Sequence, residues 1–156
     1  MLPTPSASAN FGEVSSLREV FAEAKKLRQA RHPAHVLVVE DDALTRRIVT
    51  GNLKTDYAMI TACDASSAVA EYLMYAPDAV FLDIGLPDVD GFCVLEHIIS
   101  FDPDAFVVMF SSHNDPQTIH KALAAGAKGF IAKPFKSETL RNYIQGSAIH
   151  YHKSFI

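Results

Sequence analysis

Residues 79–91 read AVFLDIGLPDVDG: an apolar run ending in Asp83, followed by a loop of acids, proline and glycine. A run that is apolar at every position, not at alternate ones, is what a strand buried on both faces requires. The same pattern recurs along the chain. Val36-Leu37-Val38-Val39 runs into Glu40-Asp41-Asp42, residues 105–110 run into Ser111-Ser112, and the short stretch 129–132 runs into Lys133-Pro134. Residues 57–63 are also strand-like. Helical periodicity fills the intervals at 43–53, 66–75, 91–100, 116–125 and 137–149, the last with a serine cap at its start. Gly51-Asn52, Pro77 and Gly126 act as stops. Five strands alternating with five helices specify an α/β fold with a parallel sheet covered on both faces. Right-handed crossovers make that sheet doubly wound, with its site at the carboxyl ends of the strands.

Composition agrees. The 156 residues are 49% hydrophobic and 21% charged, ordinary values for a globular chain of one domain plus an appendage. No apolar run approaches the ~20 residues of a membrane span. The N-terminus, MLPTPSASAN, lacks the basic and apolar regions of a signal peptide, so a cytoplasmic location is expected. Residues 1–34 hold five basic and three acidic side chains, a balance of +2. Residues 35–156 hold nine and fifteen, a balance of −6. An acidic body cannot track a phosphate backbone, so direct nucleic-acid binding is not expected. Cys63 and Cys93 have no metal-ligand spacing and read as reduced, buried, small hydrophobes.

Residues 1–33 form an N-terminal extension and 34–156 the main domain. Within the extension, Ser16-Leu17-Arg18-Glu19 fits a capping box, and Leu17, Val20, Phe21, Ala24 and Leu27 recur at helical spacing. The spacing predicts an amphipathic helix over 17–31, ended by His32-Pro33. A helix of this length is marginal alone, so its apolar stripe needs a cover. Docking on the same chain, and contact with a second copy or a partner, both satisfy it.

At the strand ends the topology gathers Glu40, Asp41, Asp83, Ser111 and Lys133 into one crevice. Clustered carboxylates repel, so at least one pKa rises unless a cation is present; oxygen ligands of this kind suit Mg²⁺. A carboxylate beside Mg²⁺ is also a nucleophile able to form an acyl phosphate by in-line attack. Asp83 is the best candidate, because the central strand aims it at the crevice and Gly85 leaves room beside it. Lys133 then neutralises one phosphoryl oxygen and Ser111 hydrogen-bonds another.

The segments VLVVEDDALTRR (36–47), AVFLDIGLPDVDG (79–91), VVMFSS (107–112) and AAGAKGFIAKPF (124–135) resemble the response-regulator receiver domains of two-component signalling, of the single-domain chemotaxis type. Asp41 to Asp83 spans 42 positions, Asp83 to Ser111 spans 28, and Ser111 to Lys133 spans 22. The resemblance covers about residues 34–150. It implies a flavodoxin-like sheet of strand order 2-1-3-4-5, with the N-terminal helix as an addition. It implies Asp83 as phosphoacceptor and Asp41 as a direct Mg²⁺ ligand. Glu40 would act through water and Gly85 through its backbone carbonyl. It also implies Ser111 as the switch hydroxyl, Phe130 as the aromatic switch, and Lys133 as the phosphate-sensing lysine in a cis peptide with Pro134. Asp42 falls one place beyond the acidic pair and reads as a helix N-cap or solvated acid.

The implied partners are a histidine kinase or phosphotransfer protein, and a downstream protein at the face of the receiver's fourth helix, fifth strand and fifth helix. A homodimer through the N-terminal helix is a further expectation. A receiver of this kind assists only its own phosphorylation and dephosphorylation. Two departures from the common pattern stand out. Phe130 replaces the frequent Tyr and has no hydroxyl. Gly85 and His113 flank the path of attacking water, where the family sets phosphate lifetime; His113 reads as a surface imidazole.

Other classes fit less well. A fragment of a larger regulator or hybrid kinase, with residues 11–31 as a linker helix, is compatible with the same residues. A haloacid-dehalogenase-type phosphatase needs a second Asp where Gly85 stands. A flavin carrier needs a phosphate loop where Glu40-Asp41-Asp42 repels phosphate. A pseudo-receiver lacks one of Asp41, Asp83 and Lys133, all of which are present. His150 and His152 read as a solvated tail, His97 and His120 as exposed helix positions. Arg46 and Arg47 read as surface charge, and Phe81, Phe106 and Phe110 as core.

Overall fold

The computed structural model describes residues 11–146. The strands are β1 (His35–Val39), β2 (Ala58–Ala62), β3 (Ala79–Asp83), β4 (Val107–Ser111) and β5 (Gly129–Ala132). The helices are α1 (Phe11–Ala30), α2 (Ala43–Leu53), α3 (Ala65–Tyr75), α4 (Gly91–Phe101), α5 (Pro116–Ala124) and α6 (Ser137–Gln145). All pairings are parallel, in the order β2-β1-β3-β4-β5. The doubly wound sheet expected from the alternation is thus present.

The period of two along each strand divides the core. Val36, Val38, Phe81, Val108 and Phe110 face a cluster closed by Val49 and Leu53 of α2 and Leu140 and Ile144 of α6. Leu37, Val39, Leu82 and Met109 face the opposite cluster, closed by α3 and α4. β3 and β4 are buried throughout, which is why their sequences show no polar alternation. Phe106 lies just outside β4 and is only half-buried, at the margin of the first of these clusters.

Asp42, Asp64, Asp90 and Asp115 cap α2, α3, α4 and α5 with their carboxylates. The expected serine cap of α6 is absent: Lys136 holds the cap position and makes no side-chain cap bond. Residues 147–149, expected to continue this helix, and His150 and His152 lie outside the described residues.

The N-terminal helix starts at Phe11, so Ser16 lies inside it and not at its cap. No proline stands between 11 and 16, and once a helix is nucleated each further residue adds a hydrogen bond at little cost. It ends at Ala30, one residue short of the expected position. α1 packs on α3. The Phe21 ring stacks on Tyr72 at 5.9 Å, and Phe21 and Ala24 are buried. Burial of a phenylalanine contributes about 2–3 kcal/mol.

Charged arms complete the docking. Asp102, fully buried at the C-terminus of α4, accepts from the Tyr72 hydroxyl at 2.7 Å, Arg28 Nη1 at 2.8 Å and Lys25 Nζ at 3.0 Å. Arg31 donates to the carbonyls of Tyr75 and Ala76, both at 2.6 Å, and to Asp78 at 3.3 Å. It thereby serves acceptors that the last turn of α3 leaves without helical partners.

Cys63 is exposed, contrary to the buried reading; Cys93 is half-buried. β2 is an edge strand, and Cys63 is the first residue beyond its end, where no neighbouring strand covers it.

Candidate phosphoacceptor site

Strand register brings the site together. Asp83 is the last residue of β3, opposite Phe110 of β4, and Ser111 is the last residue of β4, opposite Ala132 of β5. Glu40 and Lys133 follow β1 and β5 directly. Their backbone N–H groups continue the ladder, Glu40 to the Ala62 carbonyl at 3.0 Å and Lys133 to the Ser111 carbonyl at 2.9 Å.

Glu40, Asp41 and Asp83 each present a carboxylate oxygen, and these atoms lie within 4.8 Å of one another. Glu40 and Asp83 are buried, while Asp41 is exposed. Lys133 Nζ bridges the two buried acids, at 2.8 Å from Glu40 Oε2 and 3.2 Å from Asp83 Oδ2. It also stands 4.7 Å over the Phe110 ring, a cation–π placement. Glu40 Oε1 accepts from the Asp42 N–H at 3.1 Å, and Asp83 Oδ1 from the Gly85 N–H at 3.3 Å.

Burial raises the pKa of Glu40, and the Asp83 charge adds to it, against the opposing bonds from Lys133 and Asp42. Burial works to lower the pKa of Lys133. Its bond to Glu40 and the charges of Asp83 and Glu40 outweigh that, and the net direction is upward. One ammonium faces three carboxylates, so a net negative charge remains. Hard oxygen donors converging with that excess suit a divalent cation such as Mg²⁺.

Ser111 is buried, and its Oγ accepts from the backbone N–H of His113 at 3.0 Å, while the His113 side chain is exposed. Phe130 lies half-buried against the α3–α4 side of the core, and its carbonyl accepts from the Tyr143 hydroxyl at 3.2 Å. The Lys133–Pro134 peptide is cis. Asp42 points away from the cluster to cap α2, accepting from Thr45 N–H and Oγ1.

Two residues that shape the site are not evident from the sequence. A Cβ on Gly91 would stand 2.2 Å from the Asp83 carbonyl oxygen, so only glycine lets α4 begin against the end of β3. Asp88, in the loop after Asp83, accepts from the N–H groups of Ala65 and Ser66 and ties that loop to the start of α3. An Asp before a turn carries no signal of such a distant partner.

A family model described as the response regulator receiver domain matches residues 36–145. The chain belongs to the response-regulator receiver family. It is 34% identical over 111 residues to the transcriptional regulatory protein KdpE of Staphylococcus aureus, covering 70% of this chain and 48% of that protein. To the chemotaxis protein CheY of Bacillus subtilis it is 32% identical over 108 residues, covering 67% of this chain and 90% of CheY.

Among solved structures, the CheX–CheY–BeF₃–Mg²⁺ complex from Borrelia burgdorferi is similar, with a TM-score of 0.70 and 33% identity. The match covers 73% of this chain and 88% of that one. The receiver therefore spans about half of KdpE and 33% of a matched protein-glutamate methylesterase of Symbiobacterium thermophilum, but nearly all of CheY. The family expected from the motif segments and the 2-1-3-4-5 sheet are both borne out. Among the described residues, no helix is long and apolar enough to cross a membrane.

Proposed function

We infer that this receiver accepts a phosphoryl group on Asp83 from a phosphohistidine of a histidine kinase or phosphotransfer protein, and that it works in the cytoplasm. The observation that carries this reading is Lys133 Nζ held against Asp83 and Glu40 where three carboxylates converge. A carboxylate oxygen of Asp83 attacks phosphorus in line, and the P–N bond of the donor breaks. Its electron pair returns to the imidazole, and a mixed anhydride forms on Asp83.

The residues fit a Mg²⁺ ion held by Asp41 and Asp83 directly, by Glu40 through water and by the Gly85 carbonyl. When bound, the ion supplies positive charge for the phosphoryl oxygens. Lys133 keeps its proton throughout and moves from the carboxylate pair to one phosphoryl oxygen. Ser111 gives up the contact from His113 and donates its hydroxyl to another.

Phosphorylation adds about two negative charges. Ser111 is then drawn toward the site and Phe130 packs inward into the space vacated, a shift between two packings. The face of α5, β5 and α6 reports the change to a downstream protein. The domain is a switch and not an enzyme, assisting only its own phosphorylation and dephosphorylation.

Labelling by acetyl phosphate, or loading with beryllofluoride, tests the site in the wild type and Asp83→Asn. Mg²⁺-dependent labelling of the wild type and its loss in Asp83→Asn are expected. Equal labelling of both proteins overturns the assignment.

A further inference from the structure

Helix α1 is apolar on more than the face it buries. Phe21 and Ala24 pack on the domain, but Val20 and Leu27, 38% and 66% exposed, line an open groove of about 890 Å³. Met74 and Tyr75 at the end of α3 form its other wall, 56% and 46% exposed. Surface this apolar, on a helix already docked by its other side, calls for a second occupant.

The charges beside the groove say which. At 100° per residue, Glu19, Glu23 and Lys26 fall on one stripe flanking Val20 and Leu27. Glu19 and Glu23 line the groove, and Lys26 Nζ lies 3.1 Å from Glu23. The stripe is acidic toward the N-terminus and basic toward the C-terminus.

We propose that the groove seats α1 of a second copy of this chain, antiparallel to the first, in a symmetric dimer. A twofold axis between positions 23 and 24 sets Val20 of each copy against Leu27 of the other. In that register Lys26 of one copy stands opposite position 21 of the other, midway between Glu19 and Glu23, two residues or about 3 Å along the axis from each. A parallel register would instead set Lys26 on Lys26 and Glu19 on Glu19. The pattern is self-complementary in the antiparallel sense alone.

The groove is lined by α1, the end of α3 and His35 of β1, and α3 packs on β1 and β2, whereas β5 of the α5–β5–α6 face is the opposite edge strand of the sheet. The dimer therefore leaves the signalling face open. It does not depend on phosphorylation of Asp83.

The test is the size of the full 156-residue chain by light scattering across a hundredfold range of micromolar concentration. A dimer that dissociates on dilution is expected. Leu27→Asp, at an exposed position that the fold does not need, makes the chain monomeric with an unchanged circular dichroism spectrum. Lys26→Glu weakens the dimer about tenfold by placing like charges together. The triple variant E19K/E23K/K26E exchanges every charge and returns to the wild-type dissociation constant. A wild type monomeric throughout, a dimer indifferent to Leu27→Asp, or a triple variant as weak as Lys26→Glu overturns the proposal.

Discussion

Replacing Asp102 with alanine removes the anchor on which α1, α3 and α4 meet. The carboxylate is fully buried and accepts from Tyr72, Arg28, Lys25 and the Asp104 N–H. Arg28 is 14% exposed, so its charge is left largely desolvated when Asp102 goes, a loss of about 3–5 kcal/mol. Lys25, 38% exposed, adds about 1 kcal/mol or less. Against a total stability of about 5–15 kcal/mol for a domain, the variant is left marginal.

Urea unfolding followed by circular dichroism reads this as a lower midpoint. Asp102→Asn keeps an acceptor for Tyr72 and costs less. The pH dependence gives a second readout. Burial pushes the Asp102 carboxyl up, but the bonds from Tyr72 and Arg28 outweigh it and hold the pKa below the ordinary 3.8. A depressed pKa contributes stability that is present above 3.8 and lost as pH falls through the folded value. The difference between wild type and Asp102→Ala is therefore full at neutral pH and narrows below pH 3.8. A loss under about 1 kcal/mol, or a difference that stays constant through that range, refutes the reasoning.

Gly91→Ala drives a methyl group into the Asp83 carbonyl and Ile84 Cα, both backbone atoms. A loss of about 2–3 kcal/mol in urea and slower acetyl phosphate labelling are expected. Glu40→Gln removes one of three converging acids and weakens Mg²⁺ binding by about 10- to 100-fold in a fluorescence or NMR titration. A thiol reagent modifies exposed Cys63 at least about tenfold faster than half-buried Cys93, and Cys63→Ser removes the fast phase.

Much of the site is legible along the chain because the parallel sheet obeys a strict geometric rule. The parallel strands all finish at the same end of the sheet, so Glu40, Asp83, Ser111 and Lys133 must converge once the runs are read as strands. The features the sequence hides are those in which distant elements decide. Ser16 and Glu19 make a cap signature, yet the helix runs through them because nothing earlier stops it. Cys63 is apolar in kind but follows an edge strand. Asp102 precedes a proline and looks like a loop acid, whereas it is the most buried anion among those that bind α1. The readable hint was on the other partner: Arg28 and Lys25 lie on the same helical face as Phe21, so basic arms share the surface that docks.

Helix α4 is held at both ends by unlike constraints. Its first residue rests without a Cβ against the carbonyl of Asp83, and the residue capping its last turn is the clamped Asp102. The helix itself is eleven residues long, a strut of about 16 Å. A rod of that length transmits displacement along its axis far more readily than it compresses. Movement of the Asp83 loop must therefore be absorbed at the Asp102 clamp or by bending α4, which makes Tyr72, the hydroxyl bound to that clamp, a natural gauge of the load.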